Sequence, residues 1–507
     1  MFKKISSFII LTFRFSLFTS YSSFAQFAQA KRSLKVVIHR SLNLSNMPTE
    51  KPTPAPKAVV PAAEPKKKSK TPESLRGFRD VLPDEQQAWE KVEELARSMT
   101  RAYGFGRIRM PVLEQTALFE RAVGKDTDIV EKEMFTFVDQ GDTKMTLRPE
   151  GTAQVARAYI EHGMVNQSQP VKLWYFEPFF RHERPQAGRY RQFYQWGLEA
   201  IGSDDPVVDA QIILMTQRFC KQLGLEVIVQ INSLGTPQSR KEYISELVKY
   251  FKLHKKDLSE TDQKRLLKNP LRLLDSKEPG MDVIKADAPQ IFDYLDEVSK
   301  NHFMKVLEYL DETEVPYSLN PYLVRGLDYY SKTTFEILLV APTNPELEGL
   351  ALGGGGRYDG LIPMLGGREN TSAMGAALGV ERIVMAMKAA GVMPPKREKV
   401  DVFFCQLGEA ARRKGLSVYE KFREGNIIVG EAFGKGTLKA QFELADKSKA
   451  PLAVILGQKE VLDGTIIIRD MESGAQEIVD VEKVVAIIAK RLKDIEEKAP
   501  EADIIVS

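Results

Sequence analysis

The sequence predicts an α+β protein: a large domain built on an antiparallel sheet with a helical insertion, followed by a smaller C-terminal α/β domain. Three observations carry this. Residues 171–201 read as two strands, "VKLWYFEPFFRHE" and "RYRQFYQWGLEAI", joined by a polar turn that holds Pro185 and Gly188, which makes a hairpin and hence an antiparallel pair. From about 237 to 318 the chain turns lysine-rich and helical, with no strand-like alternation, and strand material resumes beyond it. After "MPPKREK", short apolar strands alternate with amphipathic helical stretches.

Length and composition agree with that division. A chain of 507 residues exceeds one typical core, and a net charge of +3 permits a nucleic-acid partner without demanding one. The two cysteines, Cys220 and Cys405, lie far apart with no Cys-x-x-Cys or Cys/His spacing, so neither a structural zinc nor a disulfide framework is expected. A reducing compartment fits them best. The first 49 residues contain no acid and run from "MFKK" through "FIILTFRFSLF" to "FAQFAQA". Three readings of residues 1–46 stand open: a secretory signal peptide, an organelle transit peptide, or an over-long start ahead of Met47. The apolar run is too short and broken to span a bilayer, so no membrane partner is expected. Residues 47–74, rich in Pro, Ala and Lys, read as a disordered linker.

Ordered structure is expected from about 75. In "LPDEQQAWEKVEELARSMTRAYG", Asp84 is the expected cap of a helix whose apolar stripe runs Trp89, Val92, Ala96, Met99 and Tyr103, with Gly104 at its end. In "GFGRIRMPVLE", Ile108, Met110 and Val112 alternate as a strand would, and Pro111, with no N–H to donate, puts that strand at an edge or an interface. After the hairpin and the insertion (237–318), strands are expected in "NPYLVRGLDYYSKTTFEILLV" and "ALGGGGRYDGL", then a helix at "ALGVERIVMAMKAAG". These close a domain spanning 75–393. Beyond it, "VDVFFCQLG", "GNIIVGEAF", "PLAVILGQ" and "GTIIIRDM" read as the strands of a largely parallel sheet within 398–497, with helices such as "ARRKGLSVYEKFREG" between them.

The stretch "RHERPQAGRYRQFYQWGLE", residues 181–199, threads four arginines and a histidine between four aromatic residues and only two glutamates. No GxxxxGK[ST] sequence is present, and "GGGGRYDG" at 353–360 does not match GxGxxG, so a bound polyphosphate would have to be held by side chains. Arginine suits that task because its planar fork meets two phosphate oxygens at once and stays charged. Arg181 leaves the apolar run "WYFEPFF" near a strand end, where it either enters a cleft or pairs with Glu183 or Glu177. Phe193, Gln195, Gly197 and Glu199 share one strand face by their period of two. Gln195 and Glu199 would go unsatisfied in a dry core, so that face is expected to line a polar pocket.

"GFGRIRMPVLE", "FRHE…RYRQF" and "GVER" resemble the three signature motifs of class II aminoacyl-tRNA synthetases, in order. "TLRPEGT" (146–152) and "LVRGLDYY" (323–330) resemble two further signatures of the histidyl-tRNA synthetases, and the resemblance covers about 75–497. It implies a class II catalytic domain, and a C-terminal domain similar to the anticodon-binding domain of several such enzymes. It also implies roles. Arg181 would hold the α-phosphate of ATP, Phe193 would stack under the adenine and Arg382 would cover its other face, with Glu183 also on the ATP side. Glu150, Gly151, Thr152 and Gln195 would meet the backbone of a histidine substrate. Glu199 and Tyr330 would meet its ring nitrogens, with Tyr329 and Tyr358 as further wall. Arg325 would sit between the substrate carboxylate and the α-phosphate; Arg325, Arg181 and Glu150 form the implied catalytic set. The alternatives are an Arg382–Glu381 ion pair and an Arg325–Asp328 pair.

The implied reaction is histidine plus ATP to histidyl-adenylate and pyrophosphate, then transfer to the 3′ end of tRNA(His). Magnesium would accompany ATP, bound chiefly through the phosphates, with no protein metal cage, no zinc and no organic cofactor. Arg184 and Gln186 would meet the tRNA acceptor end, Lys435 and Lys439 are placed for phosphates near a helix start, and the lysine-rich 237–270 could contact RNA backbone or be a solvated face. A homodimer with the Pro111 region in its interface is implied, in the cytoplasm, or in an organelle if the leader is genuine. Two other readings stay open: the regulatory paralogue attending an ATP-phosphoribosyltransferase, and a synthetase-like RNA-binding or amino-acid-sensing module.

Overall fold

The computed structural model describes residues 72–498, apart from 126, 277, 341–343, 395–399 and 435. The expected leader, all but the last residues of the expected linker, and Lys435 lie outside the described residues. In chain order the strands of the larger domain are β1 (Gly106–Arg107), β2 (Leu113–Gln115), β3 (Phe135–Val138), β4 (Lys144–Leu147), β5 (Val171–Phe180), β6 (Gln192–Ile201), β7 (Val227–Ser233), β8 (Tyr317–Leu319), β9 (Ser331–Leu339), β10 (Ala351–Arg357) and β11 (Ala373–Gly379). Eight of them form one sheet in the order β1-β5-β6-β11-β10-β9-β7-β8, antiparallel from β5 through β7 and parallel only at its two outer pairs. β2, β4 and β3 form a small antiparallel sheet beside it.

The hairpin is β5–β6, in unbroken register from Val171↔Ile201 to Phe180↔Gln192. Its strands are shorter than expected and its loop, 181–191, longer, because beyond Gln192 the Arg191 N–H turns away to the Gly77 carbonyl. Alternation along β6 divides two environments. Trp196, Leu198 and Ala200 enter a core formed with the helices Pro83–Ala102, Pro206–Gln222, Glu297–Glu312 and Val380–Ala390. Phe193, Gln195, Gly197 and Glu199 face the other way.

Several expectations are corrected. Ile108, Met110 and Val112 do not form a strand: pairing stops after Arg107 and resumes at Leu113. Between them Pro111 has no N–H to give, and the carbonyls of Met110 and Pro111 are taken by the Arg148 guanidinium, at 2.8 and 3.4 Å. The edge position does hold for β1. Asp84 is not the cap of its helix: Leu82 occupies that position, Pro83 starts the helix with its preset φ, and Asp84 lies in the first turn, where its charge suits the positive helix end. The helix expected at "ALGVERIVMAMKAAG" begins only at Val380, since Ala377–Gly379 complete β11.

Within 237–318 the α-helices are Pro237–Leu253, Glu260–Lys268, Met281–Ala286 and Glu297–Glu312, and the short strand β8 begins before the stretch ends. The last of these helices packs Phe303, Val306, Leu307 and Leu310 into the sheet's own core, whereas Tyr243, Leu247 and Phe251 of the first join the core on the sheet's opposite face.

The smaller domain carries β12 (Val402–Gln406), β13 (Val429–Glu431), β14 (Leu452–Leu456), β15 (Thr465–Asp470) and β16 (Gln476–Asp480), ordered β13-β12-β14-β15-β16. Only β12 with β13 and β12 with β14 are parallel, so the sheet is mixed rather than largely parallel. The reason is length: residues 457–464 between β14 and β15 are too few for a parallel crossover, which needs about a dozen residues or more. β16, which buries only Val479, is a strand beyond the four expected. Cys220 and Cys405 are buried and burial pushes both thiols up to about 12, which keeps them unreactive. Among the described residues no helix is long and apolar enough to cross a membrane.

Arg148 joins the two sheets of the larger domain. Its side chain is 0 % exposed and donates to the carbonyls of Pro178 (2.7 Å) and Met110 (2.8 Å) and to Glu177 (2.8 Å). Replacing it with Met should cost about 3–5 kcal/mol, since buried carbonyls and a carboxylate lose their donor. Urea unfolding of Arg148→Met against the parent chain measures this; a loss below about 1 kcal/mol would show that the tie is dispensable.

Candidate active site

A cavity of about 310 Å³ opens on the face of the large sheet that carries Phe193 and Gln195. Its wall brings together Glu150, Gly151, Thr152, Arg181, Glu183, Phe193, Gln195, Arg325, Tyr329, Tyr330 and Arg382, drawn from segments distant in sequence. The "GGGG" stretch is neither a loop nor a phosphate cradle; it is β10, in the middle of the sheet and part of the cavity floor. A Cβ at Gly354 would lie 2.3 Å from the Phe335 carbonyl oxygen and 2.9 Å from Arg325 Nη1, so only glycine lets the guanidinium lie against the sheet.

Arg325 pairs with Glu336 on β9 (Nη1 to Oε1, 2.5 Å), not with Asp328 of its own loop. Its guanidinium stands 5.6 Å from the Tyr330 ring centre, and its Nε is buried with no hydrogen-bond partner. Buried donors are nearly always paired, so an unpaired one beside a cavity marks a place for an acceptor oxygen. Arg181 donates from Nε to the Pro149 carbonyl (2.8 Å) and lies over the Phe193 ring at 5.3 Å. Glu183 is 3.9 Å from Arg181 and closer, 3.2 Å, to Arg189. Arg382 does not pair with Glu381. It donates to the carbonyls of Gly188 (3.1 Å) and Ala351 (2.6 Å), which pins the 181–191 loop against β10. Burial and the neighbouring Arg189 pull the Arg382 guanidinium down to about 10. The Glu381 carboxylate instead accepts the Tyr194 N–H on both oxygens at 3.0 Å, and burial raises it to about 7.

Glu150 is buried and accepts the N–H groups of Thr152 (2.8 Å) and Ala153 (2.9 Å); burial raises its pKa and these bonds oppose the rise. Glu199 and Tyr358 do not line the cavity but lie behind it. Fully buried, Glu199 accepts hydroxyl hydrogen bonds from Thr152 (2.7 Å) and Tyr358 (2.5 Å), with Tyr175 at 3.5 Å. Burial raises it to about 8, against those hydrogen bonds. Arg184 and Gln186 are exposed on the 181–191 loop and outside the cavity wall, and Lys439 lies in the first turn of the helix Leu438–Ser448, capped by Thr437.

A family model described as histidyl-tRNA synthetase matches residues 77–383, and one described as anticodon binding domain matches 395–491. The chain belongs to the histidyl-tRNA synthetase family. It is 41% identical to a protein named histidine–tRNA ligase from Caldicellulosiruptor bescii over 82% of this chain and 98% of that one. A protein of the same name from a Geobacillus species is 43% identical with the same coverage of both chains. Among solved structures, apo histidyl-tRNA synthetase of S. aureus is 35% identical with a TM-score of 0.68, covering 82% of this chain and all of that one.

Sequence reasoning missed several side chains of this synthetase's cavity wall, Glu336 and Tyr175 among them. Glu336 is a lone acid in the apolar strand "TTFEILL", a signal that could have been read as a buried partner for a cation. Tyr175 looks in the sequence like one more aromatic of "WYFEPFF"; yet a Cβ at Gly197 would lie 2.0 Å from its Cζ, so the glycine makes room for the ring.

The raised Glu199 pKa has a stability consequence with a definite sign. Between the ordinary glutamate value, about 4.3, and about 8, the folded state holds a proton that the unfolded state has lost. The site's contribution is therefore complete at acid pH and declines as pH rises through 8. Glu199→Gln should remove this decline, so its stability relative to the parent should rise from pH 5 to pH 8; a constant difference in urea melts would refute the assignment.

Proposed function

We propose that the chain activates L-histidine with ATP, giving histidyl-adenylate and pyrophosphate, and then transfers the histidyl group to the 3′ end of tRNA(His). The activity is that of a histidine–tRNA ligase, the name its relatives at 41–43% identity carry. One observation carries the reading furthest: a single cavity brings a buried carboxylate, Glu150, together with four guanidiniums, Arg181, Arg189, Arg325 and Arg382, around the aromatic face of Phe193. That set matches an amino acid's ammonium and carboxylate together with a nucleotide's phosphate and base.

In this reading Glu150, with Gly151, Thr152 and Gln195, takes the histidine backbone. Tyr329, Tyr330 and the layer of Glu199 and Tyr358 behind the wall select the imidazole, because their buried polar groups would be left unpaired by an apolar analogue. Phe193 and Arg382 hold the adenine, and Arg181 with Glu183 the phosphate side. A histidine carboxylate oxygen forms a bond to the α-phosphorus while the bond from that phosphorus to the bridging oxygen breaks, and the electron pair leaves with pyrophosphate. Arg325 answers the charge that builds between carboxylate and phosphate. Magnesium accompanies ATP and shields its phosphates when bound.

Arg184 and Gln186 on the exposed loop, and Lys439 in the smaller domain, are the proposed tRNA contacts. The chain works as a homodimer through the Pro111 region, in the cytoplasm, with domains at 75–393 and 398–497 behind a linker. The regulatory alternative is disfavoured because Glu150, Arg181, Arg325 and Arg382 are all present and an anticodon binding domain is matched.

Pyrophosphate exchange into ATP, with each of the twenty amino acids supplied singly to protein starting at Met47, tests the reading. Exchange with histidine alone is expected; folded protein that exchanges with none would sink it. Arg325→Ala should slow adenylate formation by about 10²–10³-fold with little change in histidine affinity, as for loss of a transition-state donor. Equal losses in both would count against that role. Arg325→Lys should recover little, since a point charge lacks the fork.

A further inference from the structure

A buried ionic network lies near the imidazole end of the proposed site, and no step of the proposed reaction uses it. Its centre is Arg357, the last residue of β10, whose side chain has no exposure. All five of its N–H donors are taken. Nε donates to Asp209 at 3.0 and 3.2 Å, Nη1 to the Ser203 carbonyl (2.8 Å) and to Asp359 (3.2 Å), and Nη2 to the Asp205 carbonyl (3.2 Å) and again to Asp209. Asp209, in the helix Pro206–Gln222, is itself fully buried and also meets His302 Nε2 of the helix Glu297–Glu312 at 2.8 Å. Asp359 carries the network on to Lys332 of β9, at 2.9 Å. None of these side chains lines the cavity.

We infer that Asp359 and Lys332, anchored by Arg357, are positioning residues: they hold Tyr358 and Tyr330 in place and so set the selectivity for histidine. The inference deepens the activation reading proposed above and rests on it.

Placement along the chain carries the argument. Tyr358 stands between Arg357 and Asp359, so the network fixes both of its neighbours. Its N–H donates to the Ala373 carbonyl at 2.8 Å, and the Ala373 N–H donates back to the Asp359 carboxylate at 3.3 Å. The Tyr358 hydroxyl is thereby aimed at Glu199, 2.5 Å away. Tyr330 comes two residues before Lys332 and lies close against β10. A Cβ at Gly356, the residue before Arg357, would be 2.8 Å from its Cδ1. Tyr329 joins the two rings, its centre 4.7 Å from that of Tyr330 and 5.8 Å from that of Tyr358.

The backbone is bent to allow this. Pairing of β9 with β10 slips at the network: Gly356 faces Thr334 but Arg357 faces Ser331, so Lys332 and Thr333 stand opposite no residue of β10. Lys332 takes a φ of +45° there, a conformation that a residue with a side chain keeps only where its surroundings over-determine it. Its N–H donates to the Gly235 carbonyl (3.0 Å), its carbonyl accepts the Leu234 N–H (2.7 Å), and its ammonium is tied to Asp359. The Tyr330 carbonyl accepts from the Arg240 guanidinium of the helix Pro237–Leu253. A buried ion pair adds little net stability over apolar side chains of the same volume, so fixed position is what this network offers.

Arg357 is wholly buried, and substituting it would mix placement with folding; Asp359 and Lys332, 22% and 17% exposed, carry the test. In histidine-dependent pyrophosphate exchange on the full chain, Asp359→Asn and Lys332→Met should each raise the histidine KM by about 3- to 30-fold, the range for residues that act through their neighbours, with the ATP KM nearly unchanged. Relative kcat/KM for histidine over its thiazole analogue, in which sulfur stands for one ring N–H, should fall in the same variants. Lys332→Arg keeps a cation at the same positive φ and should match the parent in both. In a Tyr358→Phe background, Asp359→Asn should remove little further discrimination, since its effect passes through that hydroxyl. Unchanged histidine KM and discrimination in folded Asp359→Asn would overturn the inference. Histidine and ATP KM rising together, or full additivity with Tyr358→Phe, would overturn it too, by assigning the network to folding alone. No exchange by the parent chain with any amino acid would remove the activation reading and this inference with it, a result seen before any variant is made and so distinct from failure of the inference alone.

Discussion

The cavity depends on how one buried cation is satisfied. Arg148 gives its main-chain N–H to the Val112 carbonyl, accepts the Phe180 N–H on its own carbonyl, and spends its guanidinium on Pro178, Met110 and Glu177. The small sheet, the chain before it and the hairpin strand β5 are thereby tied at one residue. The next residue, Pro149, offers its carbonyl to Arg181, and the one after that, Glu150, enters the cavity. A charge so deeply buried is tolerable only because several acceptors surround it, and that requirement fixes the spacing of everything they belong to.

Behind the cavity wall a second polar layer follows the same rule. Glu199 has no exposure, and its hydroxyl donors come from three different elements: Thr152 at a helix start, Tyr358 after β10 and Tyr175 on β5. A network of this kind couples those elements, because displacing any one leaves a buried acid without a donor. Glycine supplies the room. A Cβ at Gly151 would lie 2.5 Å from the Tyr175 ring and one at Gly375 would lie 1.8 Å from Glu199, so the layer exists only where side chains have been removed.

Three arginines of the cavity wall are oriented by partners that leave donors to spare. Arg325 rests on Glu336, Arg382 on two carbonyls and Arg181 on a carbonyl and a ring. None is locked into a bidentate ion pair in the described geometry. Each keeps donors for a ligand while its orientation is already set, which lowers the ordering cost of binding.

Much of this was legible in the sequence, for a physical reason. The hairpin follows from apolar alternation around a polar turn, and the shared face of Phe193, Gln195, Gly197 and Glu199 follows from the two-residue period of a strand, which no tertiary contact can alter. Motif order likewise announced Glu150, Arg181, Arg325 and Arg382 as one set. What tertiary structure decided was everything set by partners far apart in the chain. β11 escaped notice because "AMGAALG" is too small-sided to show alternation, the "GGGG" stretch became a central strand because its neighbours approach too closely for any Cβ, and the break at Pro111 needed Arg148 from a distant segment. Arg325 chose Glu336 over Asp328, and Glu199 withdrew behind the wall, because ion pairing and burial depend on distance in space. Local periodicity is written in the chain; which donor meets which acceptor is settled only when the sheet brings them together.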